Sequence, residues 1–180
     1  ASKTPTKGGG VSYANESGLC DAVLDGAFSK TLTFTMCRDE TGKAFAGWIL
    51  AALGDRMRFV GAGGDLDKFV SVFERAKELK KGTEIAVLWR IEGDVQVVIR
   101  EPDPEGMPGV HLSLDDLARH PAFSLHSNAL CRAFYELYIG ESSVAPAVRA
   151  AVAHGAAELL DGERISSEYS KRSIFTERLK

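Results

Sequence analysis

The side chains best suited to metal binding or nucleophilic catalysis in this chain are its four histidines and three cysteines. They are His111, His120, His126, His154, Cys20, Cys37 and Cys131. Neither the histidines nor the cysteines have the spacing of a zinc site. An odd number of cysteines without a Cys-x-x-Cys pair is typical of buried or free thiols in a reducing compartment. The sequence therefore predicts no metal site and no disulfide framework.

A glycine-rich stretch, GAGGD at 61–65, has the composition of a phosphate-binding loop. It lacks the Lys-Ser/Thr step of such a loop, and it leads into Asp65 and Asp67, whose charges would repel a phosphate. A plain loop before a helix is the better interpretation. The serines lie at expected caps and turns, and none of them resembles a nucleophile elbow. The residues alone thus indicate no catalytic constellation and no cofactor.

Composition limits the class of protein. The chain has 180 residues, of which 44% are hydrophobic and 26% charged, and this is ordinary for one globular domain with a sizeable core. A net charge of −3 and a pI near 5.8 argue against nucleic-acid binding. No apolar run approaches the roughly 20 residues that a membrane span needs. The first ten residues, ASKTPTKGGG, are interpreted as a flexible leader or as the remnant of a removed transit peptide.

The first firm element is a strand within KTLTFTMCR, where Leu32, Phe34 and Met36 alternate with threonines. A helix follows in TGKAFAGWILAALGDRM, with Thr41 as its N-cap. Its apolar positions recur at helical spacing, so they predict the face that points inward at the sheet. They are Phe45, Trp48, Ile49, Ala52 and Leu53.

A second amphipathic helix is predicted over 65–79, because apolar residues recur there every three or four positions. Its apolar face consists of Leu66, Phe69, Val70, Phe73, Ala76 and Leu79. Two strands at 83–91 and 94–101 are joined by a Glu-Gly-Asp turn, which predicts a β-hairpin. The long connection 101–126 contains prolines, and one short helix is expected around Leu114–Arg119. The length of this connection is typical of a functional or partner-binding segment.

Two further helices are predicted towards the C-terminus. The first, in SNALCRAFYELYIG, begins at a cap on Ser127 or Asn128 and ends at Gly140, and the second begins at Pro146. Residues 163–180 are weakly periodic, and we expect either a short terminal helix or a C-terminal arm there. The order of strand, two helices, hairpin and two helices predicts an α+β fold, with the helices on one face of an antiparallel sheet.

Three stretches of the chain match one known family in order and spacing. They are TGKAFAGW at 41–48, GDLDKFVSVFERAKELKKGTEIAVLW at 64–89 and ALCRAFYELYIGESSVAPAVRAAVAHGAAELL at 129–160. Together, over residues 30–160, they resemble the chalcone isomerase fold family. This family includes plant chalcone isomerases, non-catalytic isomerase-like proteins and plastid fatty-acid-binding proteins.

The resemblance implies an open-faced sandwich, in which a layer of helices covers one face of an antiparallel sheet. The resemblance also leads us to expect that the N-terminal hairpin of the family is shortened or missing in this chain. The expected organisation is a flexible leader at 1–12, a chalcone-isomerase-like domain at 13–162 and an arm at 163–180.

The same resemblance predicts that the protein is not an enzyme. Phe45 stands where the isomerases have an active-site tyrosine, and Ala52 stands where they have an asparagine. Leu137, followed by Tyr138, replaces a threonine that contacts the flavanone. The catalytic arginine of the family's Gly-x-Arg hairpin has no match, although Tyr13 matches the last tyrosine of the strand in that region. Proton transfer and oxyanion stabilisation need positioned donors or cations, which phenylalanine, alanine and leucine lack.

The first hypothesis for function is a non-catalytic protein that binds a fatty acid or another apolar small molecule in an organelle, with the chloroplast favoured over the mitochondrion. The expected ligand-binding residues are Phe45, Trp48, Ala52, Leu137, Tyr138 and Tyr13. Because the early arginine is missing, Arg38 or Arg90 would have to neutralise a buried carboxylate. The alternative is that larger side chains fill the cleft.

The second hypothesis is a structural or accessory subunit of a larger plastid or mitochondrial complex, with the fold used as a scaffold. The segments expected to contact other subunits are 1–12, 101–126 and 163–180. A sheet without its first hairpin would expose an edge strand, and a partner subunit would cover that edge.

Overall fold

A computed structural model of the chain describes residues 16–102 and 121–160. In chain order the elements are α1 (Glu16–Asp25), β1 (Lys30–Thr35), β2 (Glu40–Thr41), α2 (Gly42–Phe59), α3 (Gly63–Arg75), β3 (Glu78–Leu79), β4 (Glu84–Trp89), β5 (Asp94–Arg100), β6 (Phe123–His126), α4 (Asn128–Ile139) and α5, whose described part is 146–160. The chain divides into two compact units. The larger unit, 26–138, contains the strands, α2, α3 and nearly all of α4, whereas α1 and α5 belong to the smaller unit.

A four-stranded antiparallel sheet, in the order β1-β4-β5-β6, forms the centre of the larger unit. The register aligns Leu32 with Val87 and Val87 with Val97. Phe123 of β6 is aligned with Val97, so these four side chains share one face of the sheet. Val87 and Val97 are buried on this face, and Ala86 and Leu88 are buried on the opposite face. The predicted α+β fold with an antiparallel sheet is confirmed.

The β4–β5 hairpin is also present as predicted. The backbone N–H of Arg90 donates to the carbonyl of Asp94 at 2.8 Å, and the N–H of Gly93 donates to the carbonyl of Arg90 at 2.9 Å. Gly93 has a φ of +93°. This left-handed conformation is open to glycine without steric cost, so Gly93 closes the turn.

Helix α4 packs on the face of the sheet that carries Val87. The Tyr135 hydroxyl lies 2.6 Å from the carbonyl oxygen of Lys30 in β1 and 2.9 Å from that of Val87 in β4. One residue earlier, the ring of Phe134 meets Phe34 of β1 edge to face, with the ring centroids 6.0 Å apart. Both contacts join α4 to the first two strands of the sheet order.

Helices α2 and α3 complete the helical layer of the larger unit. Thr41 caps α2 as predicted, because its hydroxyl accepts a hydrogen bond from the N–H three residues later at 3.1 Å. Phe45 of α2 contacts Phe73 of α3 with a centroid distance of 5.0 Å. Phe69 of α3 contacts Phe123 of β6 at 6.1 Å, so α3 connects α2 to the sheet.

The predicted end of the second helix is wrong. The prediction placed the helix over 65–79, but α3 ends at Arg75 and Ala76 has extended dihedral angles of φ −74° and ψ 104°. Leu79 is buried nonetheless, because it lies in β3, where it pairs with Glu40 of β2. The apolar spacing continues past Arg75, but the backbone of β3 forms its hydrogen bonds with β2 and not within a helix.

The boundaries of the last two helices agree with the predictions. The Ser127 hydroxyl accepts a hydrogen bond from the N–H of Leu130 at 3.3 Å, so Ser127 is the cap of α4. Gly140 directly follows the last residue of α4, and α5 begins at Pro146. In the smaller unit, α1 was not among the predicted elements. Its Leu19 and Cys20 are buried with Ala153 of α5.

Several predictions fall on residues outside the described ranges. These are the leader 1–12 with the neighbouring hairpin region and Tyr13, the short helix around Leu114–Arg119, most of the 101–126 connection, the domain boundary at 162 and the arm 163–180. Within the described residues, no helix combines the length and the apolar character needed to cross a membrane.

Candidate functional site

Four aromatic residues from three elements form a contiguous group, which we call the aromatic cluster: Phe34, Phe45, Trp48 and Tyr138. The centroid distances are 6.5 Å between Phe45 and Trp48, 6.4 Å between Trp48 and Tyr138, and 5.0 Å between Tyr138 and Phe34. Phe34 comes from β1, Phe45 and Trp48 from α2, and Tyr138 from α4. Three predicted ligand-binding residues, Phe45, Trp48 and Tyr138, are thus brought together.

The aromatic cluster is partly open to solvent. Trp48 is 44% exposed, and Phe45 and Tyr138 are half-buried. Leu137, another predicted site residue, is also half-buried. A large aromatic side chain that remains accessible beside other apolar groups is typical of a surface that binds an apolar partner or ligand.

The prediction that Trp48 and Ala52 point inward is wrong, since Trp48 is 44% exposed. Ala52 is exposed, and the buried face of α2 is formed by Ile49, Leu53 and Met57 together with Ala46. The predicted apolar face was wider than the stripe that α2 buries against its neighbours. Ala52 therefore lies on the outer side of α2, one turn after Trp48.

Tyr138 is the polar group of the aromatic cluster. Burial raises the pKa of its hydroxyl to about 12. The phenol is therefore neutral near pH 7, where it can donate a hydrogen bond but has no tendency to ionise. A group in this state suits ligand binding better than general base catalysis.

The two arginines expected to neutralise a ligand carboxylate are paired elsewhere. Arg38 lies 3.4 Å from the carboxylate of Glu40. Arg90 lies 3.7 Å from the carboxylate of Glu92. The first pair follows the end of β1, and the second follows the end of β4. Neither carboxylate holds its arginine towards the aromatic cluster.

A different group of charges bridges α2 and α4, and we call it the ion triad. Glu136 of α4 accepts hydrogen bonds from Arg56 of α2 and from Arg132 of α4, the latter at 2.5 Å. Partial burial acts to raise the pKa of Glu136, but the two guanidiniums outweigh it and hold the pKa below its usual range. The i, i+4 spacing of Arg132 and Glu136 was visible in the sequence. The pairing with Arg56 was not.

Cys131 is a poor nucleophile in this environment. Burial, with a smaller contribution from the Asp94 charge, raises the pKa of the thiol to about 12. Cys20 is buried as well, whereas Cys37 is exposed. The three thiols should therefore differ sharply in reactivity.

We expect one thiol per chain to react rapidly with Ellman's reagent at pH 8 in the folded protein, and Cys37→Ser should abolish that fast phase. Cys20 and Cys131 should react only when denaturant is added, because their sulfur atoms are shielded. The time course of absorbance at 412 nm, about the wavelength of the released thiolate, measures all three. A fast phase that survives Cys37→Ser would contradict the burial of the other two thiols.

A separate cleft of about 370 Å³ lies at the end of α3. It is lined by Arg75, Ala76, Lys77, Glu78, Leu79, Lys80, Thr83, Ile99 and Glu101. Its lining mixes both signs of charge and contains no aromatic side chain, so it does not match an apolar ligand. Among the residues that the structure describes, no three histidine, cysteine or acidic side chains converge as a metal site would require.

No protein-family model and no curated protein sequence matches the chain. Among solved structures, the fold is similar to the crystal structure of a fatty-acid-binding protein of Arabidopsis thaliana, with a TM-score of 0.61 and 19% sequence identity. The match covers 81% of this chain and 64% of that one, so the chain spans less than two thirds of its structural neighbour. This likeness establishes a chalcone-isomerase-like fold, as the sequence resemblance predicted.

Proposed function

We propose that this protein binds a fatty acid or a similar apolar small molecule at the aromatic cluster and carries out no reaction on it. The observation that carries the proposal is the half-exposed Trp48, which lies beside Phe45 and Tyr138 at the place where the resemblance put the ligand. Covering exposed apolar surface with a hydrocarbon chain is favourable by about 25 cal/mol per Å². The structural neighbour is itself a fatty-acid-binding protein, which supports the same class of ligand.

The chemistry of the side chains also supports binding without catalysis. The positions that match the isomerase tyrosine and asparagine hold Phe45 and Ala52, and Leu137 replaces the threonine. None of these three side chains can transfer a proton or stabilise an oxyanion. Tyr138 is protonated near pH 7, as an ordinary tyrosine is, and burial raises its pKa further, to about 12.

The two tryptophans of the chain allow a direct test. Trp48 belongs to the aromatic cluster, whereas Trp89 packs against Tyr135 with a centroid distance of 5.5 Å. In Trp89→Phe the emission reports on Trp48 alone, and we expect titration with decanoic acid to shift it to shorter wavelength as the indole loses water. In the matched Trp48→Phe protein, the same titration should leave the emission of Trp89 unchanged.

The outcomes of this titration separate the two interpretations of the cleft. Equal responses from both proteins would indicate binding away from the aromatic cluster and would contradict the proposal. No response from either, together with a mass spectrum of the native protein without bound lipid, would favour a cleft filled by its own side chains.

The accessory-subunit role and the organellar location stay predictions. The segments on which the first depends, 1–12, 163–180 and most of 101–126, lie outside the described residues. The prediction of an organellar location depends on the composition of the first ten residues. It favours the chloroplast over the mitochondrion.

A further inference from the structure

We infer that the cleft at the end of α3 binds a small zwitterion of the amino-acid class, with an ammonium group, a carboxylate and an aliphatic body. Its lining residues all lie between Arg75 and Glu101, within the larger unit. The lining shares no residue with the aromatic cluster, so this inference does not depend on the proposed function.

The cleft has two walls that come from different parts of the chain. One wall is the segment 75–80, which runs from the last residue of α3 through β3. The other wall consists of Thr83, which directly precedes β4, Ile99 of β5, and Glu101, which directly follows β5. The register aligns Glu84 with Arg100, so Thr83 and Glu101 come next to each other where the two strands end. A ligand between the walls would therefore meet a helix end, a short strand and the central hairpin.

The charges of the lining are of both signs, and they do not neutralise one another. Five charged side chains line the cleft: Arg75, Lys77, Glu78, Lys80 and Glu101. Within the part of the chain that the structure describes, none of the five forms an ion pair. The guanidinium of Arg75 donates only to a neutral group, the hydroxyl of Ser71 at 3.3 Å. Three cationic groups and two anionic groups therefore remain for a ligand.

Thr83 is the buried polar residue of the lining. It is 2% exposed, and its hydroxyl forms no hydrogen bond with another described residue. Its backbone is fixed, because its N–H donates to the carbonyl of Lys80 and its carbonyl accepts from the N–H of Met36, both at 2.9 Å. A buried hydroxyl normally has a partner, and a ligand carboxylate is a good acceptor for it. Thr83 thus offers a positioned donor beside the charges.

Ligands of other classes fit this lining less well. An apolar ligand would take charges out of water and give them no partner. A simple anion would be repelled by Glu78 and Glu101, and a simple cation would be repelled by the three basic side chains. A zwitterion pairs with both signs at once, and its aliphatic body would pack on Leu79 and Ile99. The volume of about 370 Å³ is near the lower end of the usual range of about 300–1,000 Å³, so the ligand is small.

The test titrates the isotope-labelled protein with 6-aminohexanoic acid, hexanoic acid and hexylamine, which have the same number of carbon atoms and differ in charge. The backbone amide signals of residues 75–83 and 99–101 in the NMR spectrum report binding in the cleft. We expect the zwitterion to bind about fivefold more tightly than either of the other two, since each pair of solvent-exposed charges adds only a modest gain. A titration with leucine shows whether adjacent charges are preferred to separated ones, and binding of either zwitterion in the cleft supports the inference.

Two substitutions of the lining should have effects of opposite sign. Glu101→Gln should weaken binding of the zwitterion but strengthen binding of hexanoic acid, because it removes a negative neighbour. Lys80→Gln should weaken binding of the zwitterion but strengthen binding of hexylamine. Glu74→Gln and Lys81→Gln are the matched controls, because these exposed residues do not line the cleft. At about 0.15 M salt, where distant charges are screened, neither control should change any of the three affinities.

Thr83→Val tests the hydroxyl, since it keeps the shape of the side chain and removes the donor. We expect it to weaken binding of 6-aminohexanoic acid and hexanoic acid about threefold and to leave binding of hexylamine unchanged. Thermal unfolding of each variant shows that the comparison is made between folded proteins.

Equal affinities for the three compounds would overturn the inference, as would spectral changes that leave residues 75–83 and 99–101 unaffected. Effects of Glu101→Gln and Lys80→Gln that do not differ from those of their controls would also overturn it. The signals of Trp48 and Tyr138 report on the aromatic cluster separately. Failure of the proposed function would therefore be recognised apart from failure of this inference.

Discussion

Gly42→Ala is expected to lower the free energy of unfolding by about 3 kcal/mol. A Cβ atom at Gly42 would lie 2.0 Å from the carbonyl oxygens of both Phe73 and Ala76. These are backbone atoms at the end of α3, so they cannot rotate away as the tip of a side chain would. The start of α2 would have to move away from α3 as a whole. Urea unfolding followed by circular dichroism at 222 nm, about the minimum of the helix signal, measures the change.

Gly47→Ala in the same helix is the matched control. An added Cβ at Gly47 meets no atom within 4 Å. Alanine is a better helix former than glycine by about 1 kcal/mol, so this substitution should stabilise the protein by up to that amount. Two identical substitutions, five positions apart in α2, should therefore change stability in opposite directions. A stabilising Gly42→Ala would show that α2 and α3 do not approach each other at this point.

Phe69→Ala should destabilise the protein by about 3–5 kcal/mol, which is a large share of the stability of an ordinary domain. Phe69 is completely buried. Its ring lies 5.4 Å from those of Phe73 and Phe134 and 6.1 Å from that of Phe123. The substitution would leave a cavity at the place where α3, α4 and β6 meet. The same urea titration provides the measurement.

Phe59→Ala is the control for this substitution, because it removes the same side chain from a surface position. Phe59 is the last residue of α2 and is 92% exposed. Its replacement should change the free energy of unfolding by less than about 0.5 kcal/mol. Similar effects of Phe69→Ala and Phe59→Ala would refute the assignment of Phe69 to the core.

The elements that follow a local rule could be predicted from the sequence. The Thr41 cap, the alternating strand around Phe34 and the start of α5 at Pro146 each depend on a few neighbouring residues. The end of α3 depends instead on a distant strand, because β3 pairs with β2, and the apolar spacing through Leu79 could not reveal this. The α+β class was predicted from the order of the elements, so the wrong end of α3 did not affect it.

The candidate site was predictable in a different way. The resemblance pointed to Phe45, Trp48 and Tyr138, and the structure places them in contact. Phe34 completes the aromatic cluster. Its place in an alternating strand predicted that its side chain lies on the apolar face of that strand. The contact of Arg56 with Glu136 joins residues that are 80 positions apart. It depends on how α2 and α4 are placed side by side, which no local pattern records.

The Tyr135 hydroxyl determines how far α4 can slide along the sheet. It lies within hydrogen-bonding distance of two carbonyl groups in different strands, those of Lys30 and Val87. A shift of α4 by one turn, about 5.4 Å, would break these contacts and leave a buried hydroxyl without a partner. The axial register of α4 is therefore locked, and Tyr138 and Glu136 stay at a constant separation from the sheet. In the proposed ligand site α4 is then a fixed wall, and a preference for one chain length would be set by α4 and not by rearrangement of the protein.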